Sequence, residues 1–293
     1  MSRSASPLRY PGGKACLFDI TAEIINHNHF AQRHYVEPYS GGCGLALSLL
    51  FAGHVSHVHL NDLDRSIWAF WHSVVTQCDA FLDLLESAEL SVSEWDRQRE
   101  IQSRKASADA LELGFSTFYL NRTNRSGIIH SGGIIGGREQ LGDYKIGCRF
   151  NKSDLKQRIR RVNLYRGRIH LYNEDAEDFL SRAGIDFPAT SLTYIDPPYY
   201  EKGSSLYRNS YLRADHRRLL RVFQDLEMPW FLTYDNVEPI QSLYADFRSC
   251  ELDIGYSAQT KRRGSELLVF SDRLEPPPGI SLEVRAKNLH QAA

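Results

Sequence analysis

The chain has 293 residues, 42% hydrophobic and 24% charged; this suits a globular body of one or two domains, and without a run of ~18 apolar residues or an apolar leader it is expected to be cytoplasmic, neither exported nor membrane-inserted. Five scattered cysteines without a C-x-x-C pair, and histidines in neither an H-x-E nor an H-E-x-x-H setting, argue for reduced thiols and against a disulfide framework or a metal site. The net charge is only −1, yet residues 97–170 hold 16 Lys/Arg against 6 Asp/Glu, leaving −11 elsewhere; such a basic block suits a phosphate-tracking surface or a solvated helix face.

Near the start, Arg9-Tyr10-Pro11-Gly12-Gly13-Lys14 pairs two glycines with a lysine that can meet a carboxylate or phosphate. The P-loop spacing fails and Ala15 replaces its hydroxyl, so triphosphate hydrolysis is not expected. A short strand is predicted at 34–37 and an apolar helix at 45–50. Between them lies Glu37-Pro38-Tyr39-Ser40-Gly41-Gly42-Cys43-Gly44, a strand-to-helix turn where an open α/β sheet binds ligands. It reads as such a site or as a tight structural turn. A second strand at 55–60 leads through Asn61-Asp62-Leu63-Asp64 to a helix at 67–71. Asp62 can accept ribose hydroxyls or cap that helix.

Residues 76–165 are polar, basic and helical in pattern around a glycine-rich centre at 131–137, and predict an inserted helical lobe bearing a loop. Its candidates for DNA contact are Asn121, Arg122, Asn124, Arg125 and Ser126, with Arg138, Arg149, Asn151 and Lys152 beyond them, and Arg9 of the N-terminal motif joins them. Arg and Asn suit phosphates and base edges, although a polar surface loop has the same composition. Strands are then predicted at 169–172, 191–195 and 230–234, each followed by a helix, at 176–182, 214–226 and 238–245. This alternation implies a mostly parallel sheet covered by helices. The strand at 191–195 runs into Asp196-Pro197-Pro198-Tyr199. Two prolines remove two N–H donors beside the aspartate, leaving acceptors for an amino group, while Tyr199 offers a ring for stacking. The three prolines at 276–278 predict a loose tail over 275–293.

Taken in order, these motifs resemble the D12 class of N6-adenine DNA methyltransferases, the Dam-like group, over residues ~7–271. Arg9–Lys14 resembles its N-terminal motif, Glu37–Gly44 its Glu-Pro-Phe-x-Gly-Gly-Gly turn, and Asn61-Asp62 its ribose acid. Asn121-Arg122-Thr123 through Gly127 resembles its Asn-Arg stretch, and Asp196–Tyr199 is its Asp-Pro-Pro-Tyr. Two departures are Cys43 at the third glycine and Ala176 in place of an aromatic after Asp175. The strand-like stretches at 231–236 and 263–268 resemble later strands of the family.

The resemblance implies a Rossmann-like methyltransferase sheet with helices on both faces and an inserted helical DNA-recognition lobe. It implies catalytic Asp196, Pro197, Pro198 and Tyr199, and S-adenosylmethionine held by Tyr10, Lys14, Glu37, Pro38, Tyr39, Ser40, Gly41, Gly42, Asp62, Asp175 and Asp196. The expected organisation is a catalytic domain of residues 1–75 and 166–274 and a target-recognition lobe of 76–165. Double-stranded DNA is the expected partner, methylated at adenine N6 by base flipping and direct transfer; a companion restriction endonuclease is compatible with the family. Cytosine N4 methylation and a non-catalytic nucleic-acid-binding relative remain alternatives. A nicotinamide-dependent oxidoreductase would call for G-x-G-x-x-G after the first strand, which this chain lacks.

Overall fold

A computed structural model describes residues 5–10, 14–200, 213–256, 262–278 and 280. Pro11, Gly12 and Gly13 of the N-terminal motif, and most of the expected tail, lie outside the described residues. The elements, in chain order, are α1 (Phe18–His27), β1 (Arg33–Glu37), α2 (Gly44–Ala52), β2 (Val55–Asn61), α3 (Arg65–Thr76), α4 (Cys78–Ser87), α5 (Val92–Ser103) and α6 (Ala110–Thr123). They continue as α7 (Lys152–Leu164), β3 (Ile169–Tyr172), α8 (Ala176–Asp186), β4 (Leu192–Ile195), α9 (Arg213–Asp225), β5 (Trp230–Asp235), α10 (Glu238–Leu243), β6 (Arg248–Tyr256) and β7 (Arg262–Phe270). The strands form a mixed seven-stranded sheet in the order β3-β2-β1-β4-β5-β7-β6, the α/β class expected from the alternation.

The chain divides into two compact units. The first comprises residues 1–15, 40–52 and 58–174. In it β2 and β3 run parallel, with His59 opposite His170 and Asn61 opposite Tyr172. All of residues 76–165 fall in this unit. Of their helices, α5, α6 and α7 start on side-chain caps. Ser91 accepts from the Glu94 amide, Asp109 from Leu111 and Glu112, and Asn151 from Asp154, each satisfying donors that a helix start leaves orphaned. An aromatic cluster of Phe70, Phe81, Phe115, Phe118 and Phe150, with ring centroids 5.5 to 6.3 Å apart, forms the apolar centre on which α3, α4 and α6 pack.

The second unit comprises residues 16–39, 53–57 and 175–293. Here β1, β4 and β5 run parallel, with Val36 opposite Thr193 and Ile195 opposite Leu232. β7 lies antiparallel to β5, and β6 antiparallel to β7. The near-continuous apolar runs of β4 and β5 are buried residue after residue, as a central parallel strand covered on both faces requires. Two elements escape pattern reading. α1 follows the glycine motif without a side-chain cap, and β6 carries Arg248, Glu251 and Asp253 among its apolar positions, which blurs its alternation. Glu275, at the predicted start of a loose tail, is tied down: its amide donates to Asn28 Oδ1 at 2.8 Å and its carboxylate meets Arg248 at 3.0 Å.

Candidate active site

In the first unit the turn after β1 is built around Tyr10. A Cβ placed on Gly41 would lie 2.6 Å from Tyr10 Cε1, and one on Gly42 would lie 2.5 Å from Tyr10 Cβ, so only glycines admit this tyrosine. Gly41 has φ +44°, in the left-handed region. The Trp71 indole donates to its carbonyl at 2.9 Å, and Asp62 Oδ2 accepts from its amide at 2.9 Å. Asp62 Oδ1 accepts from the Asp64 amide at 2.9 Å. The cap of α3 is Asp64, which takes the Ser66 amide, so the capping role weighed for Asp62 belongs two residues on. Asp62 stands at the carboxyl end of β2 with its carboxylate fixed from two sides.

Charge sorts this pair of acids. Burial, with the Asp64 charge adding to it, pushes the Asp62 carboxyl up to about 7 against the opposing amides of Asp64 and Gly41 and the Lys105 charge. Burial pushes on Asp64 too, but hydrogen bonds from His130 and Lys105, at 2.8 and 2.6 Å, hold it well below the usual carboxylate range. Lys14 is buried. Cys43 is buried with φ +49°, a left-handed conformation in which an L side chain carries strain of roughly 1–2 kcal/mol and a glycine would be relaxed.

In the second unit three carboxylates gather with tyrosines. Burial, together with the Glu37 and Asp196 charges, holds the Tyr35 phenol far above its ordinary pKa. Burial and Asp196 do the same to Tyr194, whose hydroxyl lies 2.7 Å from Thr233 Oγ1. Both phenols therefore stay protonated. Asp196 itself is half-buried just beyond β4, and Thr233 approaches its Oδ1 at 3.5 Å. Tyr199 is buried, and its hydroxyl donates to Glu266 of β7 at 2.5 Å. The Tyr200 amide donates to Asp235 Oδ1 at 3.0 Å, and Asp235 pairs with Glu266 across β5 and β7. The Asp-Pro-Pro-Tyr corner is thus pinned from the two strands beyond it. The part Glu266 and Asp235 take in holding this corner was not read from the sequence; the available signal for Glu266 was an acid leading the apolar run Leu267-Leu268-Val269-Phe270. Asp175 caps α8 by accepting from the Glu177 amide.

The model of the D12 class N6 adenine-specific DNA methyltransferase family matches residues 10–257. This chain belongs to that family. No curated protein matches it. As a D12 methyltransferase it is an enzyme of S-adenosylmethionine-dependent adenine methylation, with DNA as its substrate.

The residues that sequence reasoning offered to DNA separate by burial, with Arg9 and Lys152 half-buried between an exposed and a buried group. Arg125, Ser126, Arg138, Arg149 and Asn151 are exposed, although Arg138 is engaged bidentately by Asp96 at 2.9 and 2.7 Å and Asn151 caps α7. Lys152 is half-buried and donates to the carbonyls of Glu86 and Ala88. Asn121, Arg122 and Asn124 are buried. Asn124 takes the Trp95 indole at 2.6 Å and donates to the Ile128 and Ile129 carbonyls, while Arg122 donates to the Pro7 carbonyl. The side-chain amides of Asn121 and Asn124 are thus engaged inside the protein. Among the described residues no helix is long and apolar enough to cross a membrane.

Proposed function

We propose that Asp196, Pro197, Pro198 and Tyr199 form the catalytic corner of adenine N6 methylation and that Tyr10, Lys14, Glu37 through Gly42, Asp62 and Asp175 bind the cofactor. The observation that carries this reading is the acidic, tyrosine-walled setting of Asp196 in the unit that also holds Glu37. The donor set suits S-adenosylmethionine: Asp62 presents a fixed carboxylate for ribose hydroxyls, and Glu37 and Asp196 supply negative charge for a sulfonium. When bound, that cofactor supplies an electrophilic methyl group.

Asp196 and the Pro197 carbonyl accept hydrogen bonds from the target amine, drawing its lone pair out of ring conjugation, and Asp196 takes up the proton the nitrogen sheds. The base must leave the stack to reach this corner, at a cost of a few kcal/mol. Tyr199 holds the extruded ring, and its bond to Glu266 fixes the angle of the tyrosine. Residues 76–165 serve as the target-recognition lobe, with Arg125, Ser126 and Arg149 as its DNA contacts, and residues 1–75 and 166–274 as the catalytic domain. The cytoplasmic setting is an expectation from the sequence, and a companion restriction endonuclease rests on the family alone.

The test is mass spectrometry of nucleosides from duplex DNA incubated with S-adenosylmethionine. Wild-type protein is expected to yield N6-methyladenine, and Asp196→Ala to lose about 10²-fold or more in rate. Equal methylation by both proteins, or N4-methylcytosine as the product, overturns the assignment.

A further inference from the structure

Asn121 is fully buried at the end of α6, and its amide group brackets one residue far away in sequence. The Arg9 amide donates to its Oδ1 at 2.7 Å, and its Nδ2 donates to the Arg9 carbonyl at 2.9 Å and to the Gly127 carbonyl at 2.9 Å. The carbonyls before Arg9 are held from the same lobe, Pro7 by Arg122 and Ser6 by Arg158. Arg9 in turn reaches the Asn124 carbonyl at 3.3 Å. The approach is close enough that a Cβ on Gly127, at φ +75°, would lie 2.2 Å from the Arg9 carbonyl oxygen. The residue after Arg9 is Tyr10, whose ring fills the space over Gly41 and Gly42.

We propose that Asn121 is a positioning residue for the cofactor site: by fixing the backbone of Arg9 it sets Tyr10 against the glycine turn, and it does not read DNA. The inference rests on the reading of Tyr10, Gly41, Gly42 and Asp62 as cofactor-binding. The three hydrogen bonds use both Nδ2 protons and one Oδ1 lone pair, and full burial keeps the remaining lone pair from any base edge. Removing them leaves buried backbone groups of Arg9 and Gly127 without these partners, so the segment shifts. The same α6-to-loop stretch carries the exposed Arg125 and Ser126, so a DNA contact there is joined through one side chain to the residue that packs on the cofactor turn.

A double-mutant cycle on the full-length protein tests this, reading S-adenosylmethionine affinity by calorimetry and duplex affinity without cofactor. Asn121→Ala is expected to weaken the cofactor about tenfold, with duplex affinity and kcat at saturating cofactor within about threefold of wild type. In a Tyr10→Ala background the same change should add less than about twofold, because both act through one group. Unchanged cofactor affinity with weakened duplex binding overturns the proposal, as do fully additive effects. Should Asn121→Ala fail to fold, Gly127→Ala displaces Arg9 by its new Cβ and must show the same cofactor-selective loss; a loss confined to duplex binding again overturns it. Cofactor binding that survives Asp62→Ala in otherwise wild-type protein would instead refute the underlying site.

Discussion

At the scale of single residues the most informative group is Asp62. Its carboxyl is pushed up to about 7, chiefly by burial, against roughly 3.9 in an unfolded chain. The folded state therefore holds a proton that the unfolded state releases between those values, and Asp62 lowers stability as pH rises through that window, with no further change above about 7. Cofactor binding runs the other way. Ribose hydroxyls need an ionised acceptor, so S-adenosylmethionine affinity is expected to rise by up to about tenfold per pH unit approaching 7 and then level off. Asp62→Asn should flatten that profile in calorimetric titrations from pH 5.5 to 8.5. A steep profile surviving in Asp62→Asn would assign the titration to another group. The glycine turn and Asp62 drew a ligand-binding expectation from their placement at strand ends. The cap of α3 is a local choice, made by the Asp64 side chain on the Ser66 amide two residues on, whereas the filling of the turn by Tyr10 depends on contacts with Gly41 and Gly42 about 30 residues away, which no local pattern encodes.

Among the elements, α3 and α6 show how tightly the first unit is built. A Cβ on Gly114 of α6 would lie 2.5 Å from the Ala69 carbonyl oxygen and 2.7 Å from Ser73 Oγ on α3. Ser73 already donates to the carbonyls of Ala69 and Ala110. Gly114→Ala is therefore expected to destabilise by about 1–3 kcal/mol through overpacking, despite the better helix propensity of alanine. Urea melts would show this as a lower midpoint with unchanged slope. A midpoint at or above wild type would mean that the two helices separate freely. Strands β1 to β5 were readable because buried parallel strands are short, apolar and followed by helices. β6 was not, because its ladder to β7 tolerates charged residues along one edge.

For the whole molecule the question is how the basic block meets DNA. At least six of its sixteen Lys/Arg side chains already have carboxylate partners: Arg97, Arg104, Lys105, Arg138, Lys156 and Arg158. Arg122 and Lys152 are spent on backbone carbonyls. A phosphate surface made of the remaining eight would give a plot of log affinity against log salt with a slope no steeper than about −7, rather than the value near −14 that all sixteen imply. Electrophoretic mobility shifts over a salt series would measure it, and a slope beyond about −10 would require the ion pairs to open on binding. The sequence by itself determined the family, the α/β class and the order of motifs along the chain, because hydrophobic period, proline and glycine act locally and survive in a one-dimensional record. Only the tertiary structure decided which polar residues face outward. Asn121 and Asn124 have the composition of base readers, yet their hydrogen bonds go to Arg9, Gly127, Trp95 and Ile128. A buried polar group must find its partners wherever the fold brings them, and that pairing is set by three-dimensional proximity.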